Sequence, residues 1–445
     1  MTYYKKSDYL ETPEGQYSRY LWRKRRGQIH YFLNKEPQSK KSMSLDQKIK
    51  FQRDILNLML RLKKRSYRSR IVVELFLNST SKNPPHIHTA VKSLLDIFGR
   101  PLAQSGIKRK GLIYQDDRQI VILSVRYFFD RNKKGINARF VPLNYFLQDL
   151  KLAYNILNED YADFYNCHEF QEEIEQIEYP HKVFSYGKTS DNLEDLLRNK
   201  DKYLQVISEK AFNEMIKMER MSIQESILNS FGLNIRNLYL IYCPLILFKN
   251  ARRITSSRPI DPIQEIPTFL SKWVACSPIK IKLPNVPMRE GETNHFKVKV
   301  RELMKKFLID NKIYKQLYIP VNLEIIYKPP LTSNGFFKDL DNIMKLILPI
   351  FHDIFEPPPT RLSAVDLNDI KNLPLYNWLK KMIDNFPKSI KHTVLGFDIF
   401  EIPRDLKDIS DGFITVGISG GPSMIYSHWN RIDQIVDEWI KCYKN

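Results

Sequence analysis

The 445-residue chain carries 70 Lys plus Arg against 50 Asp plus Glu, with 43% hydrophobic and 12% aromatic residues and only 15 Gly beside 25 Pro. At about 100 to 200 residues per domain this makes several folded domains and excludes collagen-like, mucin-like and linker-like chains. The first residues, MTYYKKSDYL, contain no apolar leader, and the longest nearly unbroken apolar run, Leu238 to Phe248, is interrupted by Pro244 and too short to span a bilayer. Cys167, Cys243, Cys276 and Cys442 are scattered without a CxxC pair. Free thiols, a reducing cytoplasmic compartment, no membrane and no structural zinc ribbon are therefore expected.

The charge is unevenly spread. Residues 1–150 hold 31 Lys plus Arg against 12 Asp plus Glu, so nearly all of the net +20 sits in the first third. It falls in runs: Arg23, Lys24, Arg25, Arg26; then Arg61, Lys63, Lys64, Arg65, Arg68, Arg70; then Lys108, Arg109, Lys110; then Arg131, Lys133, Lys134. Such runs repel one another, and phosphate neutralisation with counterion release is their commonest use. A solvated surface is the bland alternative. An anionic membrane is disfavoured, because no basic amphipathic helix with a bulky apolar face accompanies the runs. Tyr3, Tyr4, Tyr9, Tyr17, Tyr20 and Trp22 interleave with the first run and either stack on bases or pack on a core.

In chain order, a basic and aromatic arm (1–26) precedes a strand at Gln28–Leu33, a helix at Lys48–Leu62, a strand at Arg70–Leu77, a Pro-containing loop NPPHIH and a helix at Thr89–Phe98. The acid pair Asp116-Asp117 then leads into a strong strand, Gln119–Phe129. Residues 131–276 read as a mainly helical insert, with patterns at Leu143–Leu157, Leu193–Val206 and Glu209–Phe231. The first order then recurs: strand Ile279–Lys282, helix Lys297–Leu308, strand Val321–Tyr327, the loop KPPLTSNGFFKDLDN and helix Asn342–Phe351. The strand Gly412–Ile418, headed by Asp411 and preceded by Asp408, is expected to match Gln119–Phe129. A helix, Trp429–Tyr443, closes the chain. The expected organisation is thus α/β (α+β), two mixed-sheet units at 27–130 and 277–420 separated by the insert, with a C-terminal helix at 421–445.

Lys338-Asp339-Leu340-Asp341-Asn342 with Lys345 is the sharpest local signal. Alternate acids in an extended stretch point the same way, and the helix that follows adds dipole and free N–H groups. Asp341 and Asn342 also suit helix capping, and Lys345 an i,i+4 surface pair. Several acids together repel unless a hard cation lies between them, and Mg²⁺ prefers oxygen ligands and keeps water for hydrolysis.

The DLDNIMK segment, after a strand and Pro-rich loop and before a helix and an acid-headed strand, resembles the RusA-like Holliday-junction resolvases. The second copy matches at Asp339, Asp341, Asn342 and Lys345, with Asp411 as the later acid and Asp408 or Asp398 as rivals. The first copy matches at Lys92, Asp96 and Asp116-Asp117, but His86 and His88 stand where the early acids belong. The resemblance covers roughly half the chain. It implies a small α/β fold that pairs as a dimer, binds branched or duplex DNA on a basic face and cleaves it with Mg²⁺, or Mn²⁺, held by Asp339, Asp341 and Asp411, with Lys345 at the phosphate. Two copies would form a pseudo-dimer within one chain; a homodimer of chains is also compatible.

The basic charge lies with the first copy and the intact acid motif with the second, so one half would bind and the other cut. His86, His88 and Asp117 are either a degenerate transition-metal site or polar loop residues beside phosphate. A chain with one live site would nick rather than resolve a junction symmetrically. The rival readings are a non-catalytic branched-DNA binder and a scaffold whose helical insert recruits a protein.

Overall fold

In a computed structural model of the chain, the described residues are 6–81, 84–129, 132–158, 193–230, 233–239, 241–242, 280–287, 290–311, 316–330, 339–355, 393–402, 412–420 and 427–444. Their elements are α1 (Lys6–Glu11), α2 (Pro13–Trp22), β1 (Ile29–Leu33), α3 (Leu45–Arg61), β2 (Ile71–Ser79), α4 (Ile87–Phe98), β3 (Ile120–Phe129), β4 (Gly135–Pro142) and α5 (Leu143–Asn158). After α6 (Lys200–Leu204) and α7 (Glu209–Ser230) come β5 (Lys280–Leu283), α8 (Thr293–Asp310), β6 (Val321–Lys328), α9 (Leu340–Ile354), β7 (Val394–Glu401), β8 (Phe413–Ser419) and α10 (His428–Lys444).

The strands form one mixed sheet in the order β1-β4-β2-β3-β7-β6-β8-β5. Read outward from the β3–β7 seam, both halves have the same order and directions: β2 is parallel to β3 as β6 is to β7, and β4 and β8 return antiparallel. Even a one-residue irregularity recurs, after Ile71 in β2 and after Val321 in β6. Aligning these bulges makes Ser124 the counterpart of Asp398, and those two residues are also direct partners across the antiparallel seam. A pseudo-two-fold axis therefore passes through that pair.

The alternation of the strands sends their apolar residues to two cores. On one face Val73, Leu75, Leu323, Ile325, Phe397 and Ile399 pack with α3, α4, α8 and α9. On the other, Val72, Ile122, Ile326 and Phe400 meet α5 and the stripe Ile432, Ile435, Val436, Trp439 and Ile440 of α10. Each fully buried residue of that stripe contributes about 1.5–3 kcal/mol, which makes it a core-packing face. Under α10 the seam is polar. Arg126 donates to both carboxylate oxygens of Asp398 at 3.0 and 2.9 Å, and Ser124 and Asn322 donate at 2.6 and 2.8 Å. The pair is essentially unexposed, and the bidentate Arg126 with two further donors holds the carboxyl low despite its burial.

Three expectations change. The division at 130/131 does not follow the sheet: Gly135–Pro142 is a strand hydrogen-bonded between β1 and β2, so the first half runs through α5. Its eight residues give no separate signal because the helical pattern just after them dominates the window. Second, the counterpart of β3 is β7, not Gly412–Ile418, which matches β4 instead. The acid before β8 suggests the other pairing, but hydrogen bonding across the sheet decides it. Third, Arg23, expected among the nucleic-acid-binding residues, is buried with its Nε 2.5 Å from Asp149, while Tyr20 follows the core-packing reading, fully buried and bonded to Asp433.

Candidate functional site

The N-termini of α4 and α9 are set by sequence: His86 and Asp339 occupy the equivalent N-cap positions, neither with a side-chain capping bond. The two helices pack on one another across the axis. α9 also meets β3 and the turn at Asp117–Gln119 that leads into it. Near α9, the early acids of the second half thus meet the late acids of the first.

Asp341 is buried in the first turn of α9, and Lys92 of α4 reaches it at 2.5 Å. The same ammonium lies 3.0 Å from Asp96 and 3.6 Å from Asp117. Arg118 stands 3.6 Å from Asp339, and Arg100 3.5 Å from Asp116. The electrostatics follow from crowding. Burial, then Asp341, pushes Asp339 up to about 6, against the pull of Arg118. Burial also raises Asp117, with Lys92 opposing and Asp341 reinforcing. Lys92 is raised: its burial would lower it, and the bond to Asp341 outweighs that. Asp96 is lowered, its partial burial overcome by Lys40 and Lys92. Glu401, at the end of β7, is pushed up to about 7 by burial, with Arg70 opposing and Asp339 adding to the rise.

The geometry regroups the residues expected from sequence. Asp339 and Asp341 are together with Asp116, Asp117, Lys92 and Asp96, although they come from opposite halves. Lys345, one turn into α9, is exposed, and it is Lys92 that meets Asp341. Asp398 is committed to Arg126 beneath α10. Asp408 and Asp411 lie outside the described residues. In the second half the register places Thr393 where the first half has Gln119, and the preceding Lys388 to His392 contain no acid. Each half thus carries the acid set that the other lacks, and both sets meet at one place. Arg118 and Glu401 joined the site without any sequence signal beyond lying next to a strand end.

Two carboxylate oxygens bear on a cation. Asp341 Oδ1 is buried without a hydrogen-bond donor, and Asp339 Oδ1 has none closer than the Arg118 guanidinium at 3.6 Å. A Mg²⁺ ion held by one or two carboxylates and several waters suits such a pair. The five acids are spread more widely than one compact ligand shell, with Lys92 among them.

At the symmetry-related place are His86, His88 and, unforeseen, His352 from the last turn of α9, rather than Asp117. Their rings are 5.3–5.6 Å apart between centroids. Burial lowers His86, with Asp353 opposing.

The basic runs converge too. Arg25, Arg26, Lys63, Arg65, Lys108 and Lys110 are exposed, Lys24, Lys64 and Arg109 half-buried and Arg23 buried. Tyr67 ties three of the segments together: its hydroxyl donates to the Gly27 carbonyl at 2.7 Å and its N–H to Ile113 at 2.7 Å. Gln119, beside the acid site, donates to the Tyr67 carbonyl at 3.0 Å. The basic surface and the acids are therefore joined through one short stretch of chain. Lys24 is engaged with Asp433 at 3.3 Å. Among the described residues no helix is long and apolar enough to cross a membrane. Comparison with protein-family models, with curated proteins and with solved structures found no match.

Proposed function

We propose that the chain is a metal-dependent endonuclease of the RusA-like kind that nicks branched or duplex DNA at a single composite site. The observation that carries this is the meeting of Asp339 and Asp341 with Asp117 and Lys92, residues far apart in sequence and contributed by both halves. A structural ion pair needs one acid and one base. Here Asp96, Asp117 and Asp341 share the Lys92 ammonium, Arg118 lies 3.6 Å from Asp339 Oδ1, and Asp341 Oδ1 is buried without a donor, a set in which a cation would relieve the crowding.

Mg²⁺, when bound, would polarise a phosphoryl oxygen and acidify a bound water, whose proton a carboxylate would accept. Asp339 and Asp341 would hold it, with Asp117 placed to orient water. Lys92, kept protonated by its acids, would move onto the scissile phosphate as charge builds there. Arg25, Arg26, Lys63, Arg65, Lys108 and Lys110 would follow the DNA backbone, so affinity would fall steeply with salt. With one site per chain the product is a nick, and two chains would be needed for paired cuts. The cytoplasm is the compartment this reading implies.

The test is incubation of labelled four-way junction and linear duplex with Mg²⁺, Mn²⁺ or EDTA, using wild type, Asp341→Asn and Asp117→Asn. Both variants should lose cleavage by at least about 100-fold, the usual cost of a lost charge-stabilising group. Cleavage that survives Asp117→Asn would dismiss the composite site. Tight binding without cutting under every metal would leave a DNA-structure binder.

A further inference from the structure

We propose a second metal site, independent of the nuclease reading: His86, His88 and His352 bind a Zn²⁺-class ion that ties α4 to α9. One ring nitrogen from each lies within 4.8 Å of the others, the sole such group of three or more His, Cys, Asp or Glu ligands among the described residues. Zn–N bonds of 2.0–2.1 Å in a tetrahedron need nitrogens about 3.4 Å apart. His86 is exposed and at a helix end, so rotation of its ring closes the gap, whereas His352 is buried and fixed in α9.

The ligand chemistry selects the ion. Three imidazoles suit Zn²⁺, Co²⁺, Ni²⁺ or Cu²⁺ and disfavour Mg²⁺, which seeks oxygen. Three protein ligands also leave the fourth position for water or a substrate oxygen. The pseudo-symmetry gives the reason there is one such site rather than two. Counting from the N-caps, His86 and His88 replace Asp339 and Asp341, and His352 replaces Gly99. At Gly99 a Cβ would lie 3.0 Å from the buried Tyr114 ring, so a histidine there would press that ring aside. One of the two symmetry-related places thus has hard oxygen chemistry and the other nitrogen chemistry. Because the ligands come from both halves, the ion would bridge the axis.

The experiment is titration of the metal-stripped full chain with Co²⁺, read by the visible d–d bands of four-coordinate cobalt, with Zn²⁺ as competitor. One Co²⁺ per chain should bind, be displaced by Zn²⁺ and raise the melting temperature. Loss of a ligand should weaken binding at least about 10-fold, since even removing a group that only orients a ligand costs about 10- to 100-fold. His86→Ala, at an exposed position, carries the test if His352→Ala does not fold, and Asp341→Asn should keep the signal. Equal Co²⁺ uptake by wild type and His86→Ala, or a signal lost in Asp341→Asn alone, would overturn the proposal.

Discussion

Replacing Asp339 with Asn should stabilise the metal-free protein at neutral pH while removing cleavage. An ordinary aspartate ionises near ~3.9, and each tenfold displacement in proton affinity is worth about 1.36 kcal/mol. Holding this carboxyl at about 6 therefore corresponds to about 3 kcal/mol of penalty at pH 7.5. About a fifth of the side chain is exposed and Arg118 lies 3.6 Å away, so screening reduces the expected gain to about 1–2 kcal/mol. Capping does not complicate the comparison: Asp339 makes no side-chain capping bond, and Asn is an equally good cap. The sign is set by a folded-state value above the unfolded one. The penalty is absent below about pH 4, where both states are protonated, grows as pH rises, and is complete above about 6. Urea denaturation of both proteins in EDTA at pH 4 and 7.5 measures it, because all other titrating groups are common to the pair. The stability difference should be present at pH 7.5 and vanish at pH 4, and Mg²⁺ should raise the wild type alone. A variant less stable than wild type at pH 7.5, or a gap independent of pH, would refute the electrostatic account of the site.

Lys92→Met should cost about 2–4 kcal/mol without divalent cations, because buried Asp341 and Asp117 lose their shared counter-charge. Lys345→Met, at an exposed position, should stay within about 0.5 kcal/mol in the same denaturation assay. Arg126→Met leaves Asp398 buried with Ser124, Asn322 and, 4.0 Å away, His428, and should cost about 3–5 kcal/mol. Since Asp398 is held low, the stability it confers is present above the ordinary carboxylate range and lost as pH falls through the folded value. The variant should accordingly be less sensitive to acid in a pH titration of unfolding. Finally, Arg25→Ala with Arg26→Ala should weaken DNA binding and flatten its salt dependence by about 0.9 for each phosphate no longer neutralised, read by fluorescence anisotropy. Arg23→Ala should instead destabilise the fold, since its guanidinium neutralises buried Asp149.

Local chemistry made much of this molecule legible. Periodicity placed β1, α3, β2, α4, β6, α9 and α10 close to where they lie, and an order of strand, helix, strand and helix recurs along the chain. The Asp339-Leu340-Asp341 run and the Asp116-Asp117 pair also stood out, because acids crowded at helix and strand ends are costly without a purpose. Sequence separation could not show which acids meet. Helix packing across the pseudo-two-fold axis sets Asp117 and Lys92 beside Asp341, and sends His352 to His86 and His88. The strand β4 and the β3–β7 seam were likewise decided by hydrogen-bond pairing over long range, which no window of neighbouring residues contains. Local pattern fixes each element's period and its ends. The partners of its side chains depend on register across the sheet, where a shift of one residue turns every side chain to the other face.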